Sequence, residues 1–231
     1  MKLHGLRWWV IALVCLATII NYIDRSALGI MWPAMSEDLG LTKGDYAWII
    51  NIFTITYAAG KFISGKLYDK VGTKIGFVLS IFFWSLASVL HFFAKGAASL
   101  GIFRGLLGVA EAGNWPGAVK NNAEWFPIKE RGLAQGIFNS GAAIGSIVAA
   151  PIVSGLFESF DWKWTFVIIG FVGFLWIIPW LIFNKKKPNE HPWITDEERD
   201  YILSDSPKKE NALAEGKSLS VIKILSYKES W

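Results

Sequence analysis

Seven side chains able to hold an ion or a proton stand inside long apolar stretches of this sequence: Asn21, Asp24, Arg25, Tyr57, Lys61, Arg104 and Glu111. Asn21 and Arg25 are four apart, so on a helix they share a face, with Asp24 on the adjacent one. Arg104 and Glu111 are seven apart, two turns along one face, and are placed to line a single cavity. Tyr57 and Lys61 are again four apart. An ionisable group at a bilayer centre costs at least about 2.5 kcal/mol unless it is paired or hydrated, so such residues point to ion or substrate handling. Plainer roles compete. Arg104, near the outer end of its stretch, and Lys61, within a turn of the opposite edge, have the reach to snorkel to an interface. Glu111 can be a buried partner, and Asp24 with Arg25 can be an internal ion pair that only fixes helix packing.

The elements that carry these residues are read from composition and block length. Of the 231 residues 53% are hydrophobic and 18% charged, a balance that excludes the ordinary soluble classes. The apolar residues gather into blocks of about 20, enough to cross a ~30 Å hydrocarbon core at about 1.5 Å per residue. Six blocks are expected to span, approximately Trp8 to Trp32, Tyr46 to Ser64, Thr73 to Phe93, Leu100 to Val119, Leu133 to Phe157 and Trp164 to Phe183. The first is too long for a signal-peptide core, contains Asp24 and Arg25 and lacks a small-x-small cleavage site, so it is retained as a span. Spans one and four, the first members of two groups of three, each carry an acid and an arginine. Three-span repeats with a site at their interface are a recurrent transporter design. Gly101, Gly105 and Gly108 in span four and Gly141 and Gly145 in span five suit close helix packing.

Lysine and arginine concentrate before span one, between spans two and three, between four and five, and after span six as Lys185, Lys186 and Lys187. By the positive-inside rule both ends of the segment are expected in the cytoplasm. That topology accounts for the net charge of +4 without a nucleic-acid partner. The domain reading is a six-helix bundle over 1–184 and a cytoplasmic linker over 185–231 that stops before a second bundle. In the linker, Thr195 and Glu198 form a Thr-x-x-Glu capping box opening a short helix through Tyr201 and Leu203, and an amphipathic run, Val221 to Leu225, leads to Trp231.

The single cysteine, Cys15, permits no intrachain disulfide and reads as a small hydrophobe. No metal cluster, Ser/His/Asp constellation or phosphate loop is present in the sequence, and His4, His91 and His191 lie outside the span interiors or near their ends. An enzyme, a metal or organic cofactor, and nucleotide-driven pumping are not expected.

The loop Gly65-Lys66-Leu67-Tyr68-Asp69-Lys70-Val71-Gly72-Thr73-Lys74 resembles the signature loop of the major facilitator superfamily, with Gly65 permitting close helix approach, Gly72 a turn, and Asp69 binding amide ends or a basic neighbour. Asn21-Tyr22-Ile23-Asp24-Arg25, the stretch from Arg104 to Glu111-Ala112, and Trp125-Phe126-Pro127-Ile128-Lys129-Glu130-Arg131-Gly132 are similar to the anion:cation symporter family within it. That family includes hexuronate, galactonate, phthalate and vesicular glutamate carriers. The opening Gly5-Leu6-Arg7-Trp8-Trp9 and the stretch from Trp115-Pro116 to Lys120 are most similar to bacterial hexuronate transporters.

The resemblance implies an all-α membrane protein, the N-terminal six-transmembrane-helix bundle of a major facilitator fold built from 3+3 repeats, in a bacterial inner membrane. Its implied partners are a small organic anion, the lipid bilayer and the missing C-terminal six-helix half, with H+ as the coupling ion. On matching positions it implies substrate contacts at Arg25, Tyr57, Asn21 and Asn139, proton-carrying acids at Asp24 and Glu111, and gating or ion-pair roles at Arg104, Asp69 and Arg131. Arg104 is expected near the outer mouth, able to pair with the acid of span four. Arg25 as the carboxylate ligand suits a bidentate guanidinium. One departure is visible: Ala142 follows Asn139-Ser140-Gly141 where the sugar-acid carriers can place a glutamine. Because burial disfavours a charged carboxyl and a nearby guanidinium favours it, an anion arriving at Arg25 would change how firmly Asp24 and Glu111 hold protons. Other sugar acids, aromatic or dicarboxylic acids, or an anion sensor that binds without moving its ligand, are the alternatives. A fragment that inserts without transporting is another.

Overall fold

The computed structural model describes residues 2–185 and 187–204; Lys186, the Val221 to Leu225 run and Trp231 lie outside the described residues. Apart from one parallel bridge between Leu3 and Ile194, the described residues are organised as helices. The long ones are α1 (Leu6–Leu39), α2 (Lys43–Leu90), α3 (Ala97–Glu111), α4 (Asn114–Trp125) and α5 (Arg131–Phe183), followed by a short α6 (Asp196–Ser204).

Three stretches, Leu6–Leu39, Lys43–Phe93 and Ile128–Phe183, are long and apolar enough to cross a membrane. The second and third run to 51 and 56 residues, more than 70 Å if straight, over twice a ~30 Å hydrocarbon core. Each turns back on itself at one residue with positive φ. Gly72 (φ 78) breaks α2, where a side chain would be strained, and Asp161 (φ 70) breaks α5. Asp161 then caps the arm it begins, its Oδ1 accepting from Lys163 N at 2.7 Å and Trp164 N at 3.0 Å. That the arms of α2 run side by side is clear from Gly60 and Leu90, which border the same cavity. The six expected spans are thus α1, two arms of α2, the α3–α4 unit and two arms of α5. The expected single helix from Leu100 to Val119 is broken, with α3 ending at Glu111 and α4 starting at Asn114.

α1 ends in the left-handed Gly40, and Thr42 with Asp45 forms a reciprocal capping box that starts α2. Small residues decide which helices touch. A Cβ added to Gly141 or Gly145 would meet Cys15 O at 2.7 Å or Ile19 O at 2.8 Å, so the first arm of α5 lies directly on α1. Gly108 approaches Phe53 O, packing α3 on the first arm of α2, and Gly170 approaches Ser85 O, packing the second arms of α2 and α5 together. Numbered as spans, the pairs are 1 with 5, 2 with 4, and 3 with 6, and exchanging the first three spans for the last three maps this set onto itself. Gly65 contributes no close approach, since nothing lies within 4 Å of a Cβ built there. Phe62 and Ile147 point outward, 78% and 74% exposed, as expected of a surface solvated by hydrocarbon.

Two apolar clusters fill the bundle. One includes Leu6, Phe77, Trp84, Trp125 and Trp180; the other includes Leu28, Met31, Leu100, Val153 and Phe166. The first lies toward the end that carries the N-terminus, Gly72 and Arg131, called the basic end below.

That end is clasped by the segment after α5. Glu198 lends Thr195 only half of a capping box: Glu198 N donates to Thr195 Oγ1 at 3.2 Å. Its carboxylate instead caps α1, accepting from Leu6 N at 3.1 Å, Arg7 N at 3.2 Å and the Arg7 guanidinium at 2.9 Å. Arg7 also bonds Glu130 at 3.0 Å, Tyr201 donates to Glu130, and Lys2 pairs with Asp196. α6 is therefore docked on the bundle, where the sequence suggested a helix lying on the membrane face.

Candidate functional site

Between the two apolar clusters lies a layer of buried polar side chains: Asn21 and Asp24 on α1, Ser88 on α2, Arg104 and Glu111 on α3, and Asn114 at the start of α4. Asn21, Asp24, Arg104 and Glu111 are each at most 1% exposed. Spans one and four each contribute an acid and an arginine to this buried polar zone.

Its central contact joins α1 to α3. Arg25 donates from Nη2 at 2.8 Å and Nε at 3.1 Å to one oxygen, Oε2, of Glu111. The Arg25 guanidinium is also bordered by the rings of Tyr57 (4.6 Å to the centroid), Phe53 (5.1 Å) and Tyr22 (5.3 Å). This three-ring setting holds a planar cation in place while 27% of its side chain stays exposed. Lys61 Nζ lies over the same Tyr57 ring at 4.8 Å.

Asp24 takes a different partner. Ser88 Oγ lies 3.0 Å from Asp24 Oδ1 and 3.2 Å from Phe166 O, one hydroxyl facing two acceptor atoms. Asp24 Oδ2, Glu111 Oε1 and both side-chain polar atoms of Asn21 are buried without a hydrogen bond among the described residues. Leaving such atoms unpaired costs about 1–3 kcal/mol each, so these atoms hold unused hydrogen-bonding capacity at the centre of the layer.

Arg104 departs from expectation. It is buried, its guanidinium lies 5.5 Å from the Phe166 ring centroid, and Nε and Nη2 have no hydrogen-bond partner among the described residues. It does not snorkel, and the Glu111 carboxylate pairs with Arg25 instead. Arg104 and Glu111 stand about 10 Å apart along the helix axis, whereas Arg25 stands across the helix interface from Glu111 and pairs with it. Arg104 interacts electrostatically with both Asp24 and Glu111.

The remaining candidates lie outside this layer. Asn139 is on an exposed face of α5, its Oδ1 accepting from Gln135 Nε2 at 3.1 Å. Asp69 pairs with Lys120 on α4 at 2.7 Å, and Lys120 also donates to Tyr68 O at 2.8 Å, closing the end of the first arm of α2. Among the described residues Arg131 makes no carboxylate pair; it donates to Phe126 O and Ala123 O, both at 3.0 Å, and so caps α4. Ser88, Phe53 and Lys120 were missed by sequence reasoning. A serine and a phenylalanine inside apolar spans carry no pattern of their own, and Lys120 has a role only because α4 folds beside the Gly65–Lys74 loop.

Residues 14–228 match the Major Facilitator Superfamily. The chain is 35% identical over 230 residues to the hexuronate transporter of Escherichia coli (strain K12), covering all of this chain and 53% of that one. It is 34% identical to the galacturonate transporter of Dickeya chrysanthemi, covering all of this chain and 66% of that one. With the hexuronate transporter of Bacillus subtilis (strain 168) it shares 37% over 181 residues, 78% of this chain and 43% of that one. The chain thus spans about half the length of the hexuronate transporters it matches. Among solved structures, a bacterial homolog to the human lysosomal transporter Spinster, inward-facing and unoccupied, aligns with TM-score 0.71 and 21% identity over 82% of this chain and 45% of that one, a likeness of fold alone. A multi-pass membrane bundle with this arrangement of spans, and a family match over nearly its whole length, place the chain in the Major Facilitator Superfamily.

Proposed function

We propose that this chain supplies one of two six-span bundles of a secondary active transporter that takes up an organic anion together with H+, the anion being a hexuronate such as glucuronate or galacturonate. The basic end faces the cytoplasm of a bacterial inner membrane, as the lysine and arginine distribution favours. A second six-span bundle encloses the site from the other side.

The observation that carries this reading is the Arg25–Glu111 contact. A carboxylate substrate and the Glu111 carboxylate compete for the same guanidinium, which presents its donors as a fork suited to either. Protonating Glu111 removes its charge and releases Arg25 for the substrate; losing that proton restores the ion pair and expels the anion. Substrate and proton are thereby coupled through one shared arginine. Asp24 adds a second proton position. Ser88 has one proton for two acceptor atoms, so both contacts are fully satisfied only when Asp24 carries a proton of its own. Relatives that carry hexuronate and galacturonate, at 34–35% identity over the whole chain, favour that substrate class.

The test is uptake of radiolabelled glucuronate into proteoliposomes holding the complete transporter, with and without an inward proton gradient. Gradient-driven accumulation that a protonophore abolishes, and that is lost in Arg25→Ala, is the expected result. Gradient-independent uptake, or normal uptake by Arg25→Ala, refutes it.

A further inference from the structure

Resting on that reading, we infer that Lys61 is a second carboxylate-binding residue, which takes the sugar acid on the basic side of Tyr57 when Glu111 closes on Arg25.

Charge balance is the first argument. Arg25 is neutralised by Glu111, Lys120 by Asp69, and Arg7 by Glu130 and Glu198. Lys61, inside the first arm of α2, has no carboxylate partner among the described residues. In the state seen here Arg25 is therefore occupied and Lys61 is available.

The direction of the side chain is the second. A lysine that snorkels extends toward the nearer interface, here the basic end past Gly65. Lys61 Nζ instead lies over Tyr57, one turn deeper. Helical Cα–Cβ bonds tilt toward the helix N-terminus, and the N-terminus of α2 is at the opposite end of the bundle, so the helix direction itself aims Lys61 inward. Thr54 and Lys61, seven residues apart, also share one exposed face of the helix beside Tyr57, about 100° around from outward-facing Phe62. The lysine shares its face with a threonine and a tyrosine rather than with Phe62.

Position is the third. Arg25 Cζ and Lys61 Nζ lie 4.6 and 4.8 Å from the centre of the same Tyr57 ring. The two cations are separated by no more than those distances combined, a span a six-carbon acid can cover without leaving both. Lys61 also borders a cleft of about 570 Å³ at the basic end, with Asp69, Trp115 and Lys120 on its walls. It stands between the Arg25 layer and that opening.

The experiment is calorimetric titration of the complete transporter with glucuronate, for the wild type, Arg25→Ala, Lys61→Gln and Lys61→Arg. Loss of one charge-assisted contact is expected to weaken binding about tenfold in Lys61→Gln, with Lys61→Arg restoring it to within about twofold. A merely structural lysine on an exposed face would not show that charge-specific rescue. Wild-type affinity in Lys61→Gln alongside lost binding in Arg25→Ala overturns the role of Lys61 and leaves the proposed function standing. A wild type that binds no glucuronate overturns both.

Discussion

Arg25 and Glu111, 86 residues apart in sequence, meet through a single carboxylate oxygen at 2.8 Å, while the other oxygen of Glu111 is buried with no hydrogen bond among the described residues. The acid thus has one oxygen committed to the guanidinium and one free to accept a proton. Replacing Glu111 by Gln removes both the competing charge and the proton site. Gradient-driven accumulation of glucuronate should fall by at least about tenfold, while exchange of internal for external substrate persists, because an exchange cycle needs no net proton movement. Parallel accumulation and counterflow assays on the same proteoliposomes check this; loss of both would point to a structural role.

The clasp at the basic end predicts a stability effect remote from the substrate site. Glu198→Ala leaves the N–H groups of Leu6 and Arg7 without their cap and removes one of two carboxylates from Arg7. A loss of about 2 kcal/mol is expected from a cap combined with a partly buried ion pair. Thermal unfolding in detergent reads it. The double substitution Arg7→Ala, Glu198→Ala should cost less than the two single ones together, since both act on one contact.

His191 makes the same segment sensitive to acid. Burial holds its imidazole below the ordinary value of 6.5, and its Nδ1 accepts from Trp193 N at 3.2 Å, a bond that the neutral ring alone can make. Because the folded form resists protonation, the unfolded segment binds more protons as pH falls below 6.5. Docking of 188–204 is therefore fully stable above that value and weakens progressively beneath it. Hydrogen exchange of this segment should be faster at pH 5.5 than at pH 7.5 beyond the intrinsic chemical rate, and His191→Gln should flatten the difference.

Gly145 couples packing to the site. A Cβ there would lie 2.8 Å from both Ile19 O and the Tyr22 side chain, so Gly145→Ala must push α5 away from α1. Overpacking of this kind costs about 1–3 kcal/mol. As Tyr22 is one of the rings around Arg25, the variant should weaken glucuronate binding as well as lower the unfolding temperature. Gly155→Ala, with open space at its Cβ, serves as the control.

The sequence alone determined what depends on local composition and spacing. Block lengths near 20 residues identified six spans, because hydrocarbon thickness and helix rise leave no other reading of such runs. The Gly65–Lys74 loop marked where α2 must reverse, and the ionisable residues in spans one and four marked the polar layer, because charge inside apolar runs is conspicuous in one dimension. Tertiary structure decided the partners. Arg104 and Glu111 share a helix face, yet Glu111 pairs with Arg25, which packing places directly across the interface from it. Glu198 reads as half of a local capping box, yet its carboxylate accepts from Leu6 N and Arg7 N at the free end of α1, and only its backbone N–H serves the local cap. The break between α3 and α4, the role of Ser88 and the inward turn of Lys61 rest on neighbours distant in sequence. A hydrophobic pattern records which residues are buried, and only packing specifies which of them face one another.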